Sequence, residues 1–423
     1  METSSPPRPR RSRLPVVLAL AAVGVLVVFV ALKVATLFKL GTPARVQATA
    51  APAPPPIDEG GAAAGPLHRL WSAAGQGRVV DSGLLAGRGE VLFSEELAHR
   101  SWRVRALDAR TGQFRWSNAR ENTAHVEAWA VTDAAVVLGY HHSASRLAWR
   151  LGRGASFMGV DPVSGRVRWQ RTDLVLYGER PGDYAPFLAF ASTVYGTTRQ
   201  GVPVAVDTAT GRTRWRHPPP AGCRNDGIVA GPAGVAMSTR CGSASSATIE
   251  LLDSADGTRL WQRDVAEGGV RLLAVGTGAV AIAIGAGADE TRTEVLGPGG
   301  SPATAVPCDQ CGRSGPQAGL AGSMLVLTGG RAPLAGADAS TGELRWRSPL
   351  PVAFTVTRLL FGGAAGVAAV AGPVAGGAAH LLRVDPVSGA QTEVTGFDAS
   401  QANGIAGPYV LLQQPAAIEV YGP

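Results

Sequence analysis

The sequence predicts an all-β fold, an eight-bladed β-propeller of four-stranded antiparallel blades, from three observations. A ten-residue frame recurs along the chain, a second series of eight apolar runs falls between its copies, and the two chain ends complement each other. In the frame, Gly follows Asp by four residues and Trp follows Gly by four. It reads "LDARTGQFRW" (Asp108, Gly112, Trp116), "VDPVSGRVRW" (Asp161, Gly165, Trp169) and "VDTATGRTRW" (Asp207, Gly211, Trp215). It returns as "LDSADGTRLW" (Asp253, Gly257, Trp261) and "ADASTGELRW" (Asp338, Gly342, Trp346), and as "VDPVSGAQTEV", which keeps Asp385 and Gly389 but has Glu393 for Trp. The aspartates step by 53, 46, 46, 85 and 47 residues, so one copy has decayed in the long step, with "EVLGPGGSPA" (Glu294 to Ala303) as its remnant. A period near 45 residues marks a repeat array rather than independent domains.

The second series is β-prone and bounded by Gly or polar residues. It comprises "EVLFS" near Val91, "AAVVLG" near Val136, "STVYG" near Val194, "AGVAMS" near Val235, "AVAIAI" near Val280, "MLVLTG" near Leu325, "GVAAVAG" near Ala368 and "YVLLQ" near Val410. The run near Val280 belongs to the decayed copy, which makes that repeat a structural one. Several short strands per repeat and no amphipathic helix fit propeller blades, each needing its neighbours to bury its faces. The chain closes on "AAIEVYGP", a strand without its Asp turn, while "LHRLWSAAG" near Trp71 lacks the turn before its Trp. The N-terminal strand is therefore expected to complete the last blade.

The frame suits a tight turn between strands. The Asp carboxylate accepts turn N–H groups, Gly adopts φ > 0, and the Ser or Thr before Gly adds a side-chain bond to the backbone. The Trp offers a flat ring and one N–H for packing between blades. Six of nine tryptophans (71, 116, 169, 215, 261 and 346) hold this one position. Such regularity points to repeated packing, whereas a substrate site needs different residues in different blades.

With these Ala/Val-x-Asp-x-x-x-Gly-x-x-x-Trp frames, residues 66–423 resemble the PQQ-like, or quinoprotein-type, β-propeller repeat family. The resemblance implies the fold and a tryptophan-docking motif; a fold hosts many functions. Quinoprotein dehydrogenases of this type bind pyrroloquinoline quinone and calcium, while other members are non-enzymatic scaffolds of outer-membrane assembly. The chain departs from the dehydrogenases: it has no vicinal Cys pair, no clustered acidic set for calcium and no CxxCH. It departs from the scaffold lipoprotein in lacking a lipidation Cys. The docking residues carry over and no catalytic residue, cofactor or metal ligand does.

Four regions follow: a basic cytoplasmic tail (1–13), a transmembrane signal anchor (14–38), an Ala/Pro-rich linker (39–65) and the propeller (66–423). "LPVVLALAAVGVLVVFVAL" is 19 uncharged residues long, close to the ~20 that span a bilayer. Its upstream basic cluster places the C-terminal domain outside the cytoplasm by the positive-inside rule. The rival reading is a cleaved signal peptide ending at Ala48-Thr-Ala50. The linker's three successive prolines and scarcity of bulky apolar residues read as a partly extended tether. The net charge of +7 comes almost wholly from arginines spread along the chain, so no nucleic-acid surface is expected. The cysteines, Cys223, Cys241, Cys308 and Cys311, favour disulfides in an exported domain. Local pairing is the simplest of three connectivities, with zinc at the CxxC as the alternative.

No H-E-x-x-H, G-x-S-x-G or phosphate-loop motif appears. "YHH" (Tyr140 to His142) ends a strand and reads as a solvated pair or a ligand group. The best candidate for recognition is "DLVLYGERPGDYAPFLAF", where Tyr177, Arg180, Tyr184 and Phe187 combine aromatics with charge in a swollen step between strands. The loop with Cys308 and Cys311 is a weaker one. The expected function is a membrane-anchored, extracytoplasmic, monomeric scaffold that binds envelope proteins. A PQQ-dependent dehydrogenase and a cell-wall or small-ligand sensor are the alternatives.

Overall fold

The computed structural model describes residues 45–49, 53–58, 66–98, 101–120, 123–132, 134–142, 155–175, 188–198, 200–242, 246–266, 269–285, 292–307, 316–329, 332–351, 354–361, 366–373 and 376–423. Within Ala44–Pro423, which forms one compact unit, the strands assemble into eight antiparallel sheets, the blades of a propeller. Blades 1 to 7 take their strands consecutively, beginning with Arg78–Leu85 in blade 1 and ending with Gln391–Val394 in blade 7. Blade 8 takes Ala402–Ala406, Tyr409–Gln414 and Ala417–Gly422 from one end of the chain and His68–Ala74 from the other. Trp71 faces Val420 across that pairing, so the expected closure is observed. First strands of successive blades touch from blade 2 round to blade 8 and back to blade 1, while the first strand of blade 2 meets the third strand of blade 1.

The eight apolar runs are the second strand of every blade. A strand covered on both faces reads as continuous hydrophobic sequence, and Val280–Ile284 and Met324–Thr328 are buried at every position. The decayed repeat is a full blade, from Val270–Val275 to Pro302–Pro307. Blade 3 differs, its first strand being split into Leu174–Val175 and Leu188–Phe190, both paired with Thr193–Thr198.

Two findings qualify the regions read from sequence. Arg45–Ala48, inside the span expected as a tether, pairs with Phe114–Arg120 and gives blade 1 a fifth strand. In addition, among the described residues no helix is long and apolar enough to cross a membrane, and the expected anchor, residues 14–38, lies outside them.

Candidate functional site

The docking frame works as a joint between blades. In blade 2, the Asp161 carboxylate accepts the N–H groups of Val163 and Ser164 at 2.9 and 2.7 Å, and the Gly165 N–H donates to the Asp161 carbonyl at 2.9 Å. Gly165 has φ of +69°, which permits the turn. The ring of Trp116, from blade 1, lies against Gly165: a Cβ there would sit 2.7 Å from its Cε3. Trp116 Nε1 donates to the Pro162 carbonyl at 2.8 Å, and the side chain is wholly buried. Trp71, Trp169, Trp215 and Trp346 repeat this bond to Ala109, Thr208, Ser254 and Pro386, with their rings over Gly112, Gly211, Gly257 and Gly389.

The exceptions follow from the joints themselves. Trp261 meets Gly300 of the decayed turn, where "GPGGS" supplies φ of +79° without an Asp. Blade 5 offers Ala303 to Gly342 in place of a Trp. Glu393 replaces Trp in blade 7 because blade 8 has no turn to receive one: its third and fourth strands are not joined in sequence. Glu393 instead meets His380 Nδ1 at 2.6 Å.

Two further partners went unread in the sequence. The Arg before Trp pairs with the Asp of its own turn: Arg168 with Asp161, Arg214 with Asp207 and Arg345 with Asp338, at 2.5, 2.6 and 3.0 Å. The residue two beyond Trp shares its strand face and donates to the next blade's turn: Asn118 to Gly165, Arg171 to Gly211 and Arg263 to Gly300, at 2.8, 2.9 and 3.2 Å. Both signals were present in the frames but merged into the general excess of arginine. Burial pushes the Asp161 carboxyl up, yet the hydrogen bonds from Ser164, Arg168 and Val163 outweigh it and hold the group at about 2. In Asp338 the Ser340 hydroxyl leads the same downward shift.

All these turns lie on one face of the propeller, with the connections between first and second strands. On this turn face no connection exceeds six residues. The opposite face carries the connections between second and third strands and between blades. There two connections run to nine residues or more, 143–154 and 308–316, while residues 176–187 interrupt the first strand of blade 3 between Val175, which faces Thr197, and Leu188, which faces Tyr195. Of the sequence candidates, Cys308 and Cys311 fall in 308–316 and Tyr177, Arg180, Tyr184 and Phe187 in 176–187, and all lie outside the described residues. Cys223 and Cys241 form a disulfide between the first two strands of blade 4, at the ends nearest this loop face. A cavity of about 220 Å³ opens at the same end of blade 7, beside Thr355, Pro373 and Ser400. Among the described residues, no group of three or more His, Cys, Asp or Glu side chains is placed to hold a metal.

A family model described as outer membrane protein assembly factor BamB matches residues 68–231, 159–296 and 245–392. Among solved structures, the computationally designed Ika8 protein is 14% identical, covers 84% of this chain and 99% of its own, and superposes with a TM-score of 0.52, a likeness of fold alone. BamB from Moraxella catarrhalis is 13% identical over 84% of this chain and 100% of its own, with a TM-score of 0.45. The dihydro-heme d1 dehydrogenase NirN is 10% identical over 76% and 68%, with a TM-score of 0.48. No curated protein matches the chain.

Proposed function

Because the chain belongs to the family of PQQ-like repeat propellers described as outer membrane protein assembly factor BamB, we propose that it is a non-enzymatic scaffold that binds envelope proteins through its loop face. The observation that carries this reading is the contrast between the two faces. The docking frames occupy the turn face with nearly identical short turns, which join blades and offer little variety for recognition. Chain length and sequence variety collect on the other face, where the connections at 143–154 and 308–316 emerge. Binding residues are commonly carried on loops above a rigid scaffold.

Two features support a place outside the cytoplasm. Disulfides persist in oxidising compartments, and Cys223 and Cys241 are bonded. The apolar run Leu14–Leu32 supports a membrane anchor, with the propeller on the far side of the bilayer. The scaffold reading is tested by affinity capture from membranes with the whole chain and with a form in which residues 177–187 are replaced by a short Gly-Ser linker. Loss of specific partners with an unchanged melting curve supports the reading. Turnover of an alcohol or sugar with a dye acceptor after addition of PQQ and Ca²⁺ overturns it in favour of a dehydrogenase.

A further inference from the structure

Among the described residues, the joint between blades 8 and 1 differs from the rest in carrying a length of chain laid across it. Arg45–Ala48 runs antiparallel to the outer strand of blade 1, with Arg45 facing Ala119 and Ala48 facing Trp116. The bond from Thr49 N to the Arg115 carbonyl, at 2.8 Å, extends this pairing. Residues 53–58 then cross the turn face. The guanidinium of Arg110, in the docking turn of blade 1, donates to the Pro55 and Pro56 carbonyls at 2.7 Å each. Ile57 is 4% exposed and joins one cluster with Val91, Phe93 and Leu107 of blade 1 and Ala406, Leu411 and Val420 of blade 8. The backbone approaches both blades closely: a Cβ on Gly89 of blade 1 would lie 2.2 Å from the Pro55 carbonyl oxygen. One on Gly407 of blade 8 would lie 2.2 Å from that of Asp58.

These contacts form a peptide-binding groove with four recognition elements. There is an open strand edge, a guanidinium fork for two successive carbonyls, two glycines that admit backbone, and an apolar pocket for one branched side chain. Addition of a strand to a sheet edge with a side chain in a pocket is a general mode of peptide recognition. We infer that residues 45–49 and 53–58 form a clasp bound in cis in this groove, sealing the joint where the two chain ends close the ring and fixing the propeller to its own N-terminal segment. A proline-rich, extended segment with one apolar anchor suits this groove, because proline needs no backbone donor partner at Pro55 and Pro56 and holds the chain extended. The inference is independent of which proteins the loop face binds.

The test uses the whole chain in detergent, with a specific protease site substituted into residues 59–65. After complete cleavage the N-terminal fragment is expected to co-elute with the propeller in gel filtration, and to separate from it in the Ile57→Asp chain and in the Arg110→Ala/Ile57→Ala chain. Separation of the otherwise unaltered fragments overturns the inference, as does undiminished co-elution with the variants. Where Ile57→Asp does not fold, hydrogen exchange on the intact unaltered chain decides. Those amides of the Arg45–Ala48 strand that face Phe114–Arg120 are expected to exchange about 100-fold slower than in a free peptide, and free-peptide rates there overturn the clasp.

Discussion

Substituting Gly211 by Ala separates the two physical demands that a docking turn makes on its glycine. The first is conformational: Gly211 has φ of +72°, and its N–H donates to the Asp207 carbonyl at 2.8 Å, so the turn is fixed in the left-handed region. An L-residue there costs about 1–2 kcal/mol. The second is steric. A Cβ on Gly211 would lie 2.6 Å from Cδ2 and 2.7 Å from Cγ of Trp169. The ring has little room to retreat, because its Nε1 is bonded to the Thr208 carbonyl at 2.8 Å and it rests on Gly159, where a Cβ would lie 2.2 Å from Cε2. Overpacking of this kind costs about 1–3 kcal/mol more. Gly201 is a matched control, with φ of +74° and no atom within 4 Å of an added Cβ. Urea unfolding followed by far-ultraviolet circular dichroism is expected to place Gly211→Ala about 1–3 kcal/mol below Gly201→Ala. In a Trp169→Ala background the substitution at Gly211 is expected to cost only the first part, about 1–2 kcal/mol. Equal costs at Gly201 and Gly211, or a cost at Gly211 that ignores Trp169, refute the docking account.

Two further outcomes follow from the same joints. Asp161, held at about 2 in the folded chain, binds its proton more readily when unfolded. Its contribution to stability is therefore complete above the ordinary carboxylate range and is lost as pH falls from about 3.8 to about 2. Acid titrations should show that Asp161→Asn removes stability at neutral pH and flattens this part of the pH dependence; an unchanged slope contradicts the assignment. Leu260, 51% exposed, stands where the other four frames that end in Trp have Arg, and in three of them that Arg pairs with the turn's Asp. Leu260→Arg is expected to pair with Asp253 and stabilise the chain by about 0.2–1 kcal/mol, the range of an exposed ion pair, readable as a rise in the urea midpoint; a fall counts against the pairing rule.

Much of the architecture was legible because it repeats. The spacing of Asp108, Gly112 and Trp116 gained meaning only from its recurrence, and the run at Val280 revealed a blade whose turn had lost both Asp and Trp. The closing strand was legible because Trp71 lacked a turn before it. The clasp was not legible, since residues 45–58 occur once and Ile57 is a lone apolar residue among prolines and alanines. Its pocket is assembled from blades 1 and 8, from opposite ends of the chain, and no local pattern announces it. The arginines beside the tryptophans were visible as letters, yet a chain with 39 Lys and Arg residues, nearly all Arg, hides a pairing role within its composition. The recognition loop was chosen for its aromatics and length. The structure adds the two strand ends that flank it, Val175 facing Thr197 and Leu188 facing Tyr195, so it interrupts the first strand of blade 3.

Site-specific photo-crosslinking in living cells tests the division of labour between the faces most directly. Photoreactive residues at Ala221 and Ser400 report on the loop face, and residues at Val163 and Val387, 54% and 71% exposed, report on the turn face. The account predicts discrete crosslinked proteins from Ala221 and Ser400 and none from Val163 and Val387. Crosslinks from the turn-face positions alone, or equally from both faces, contradict it.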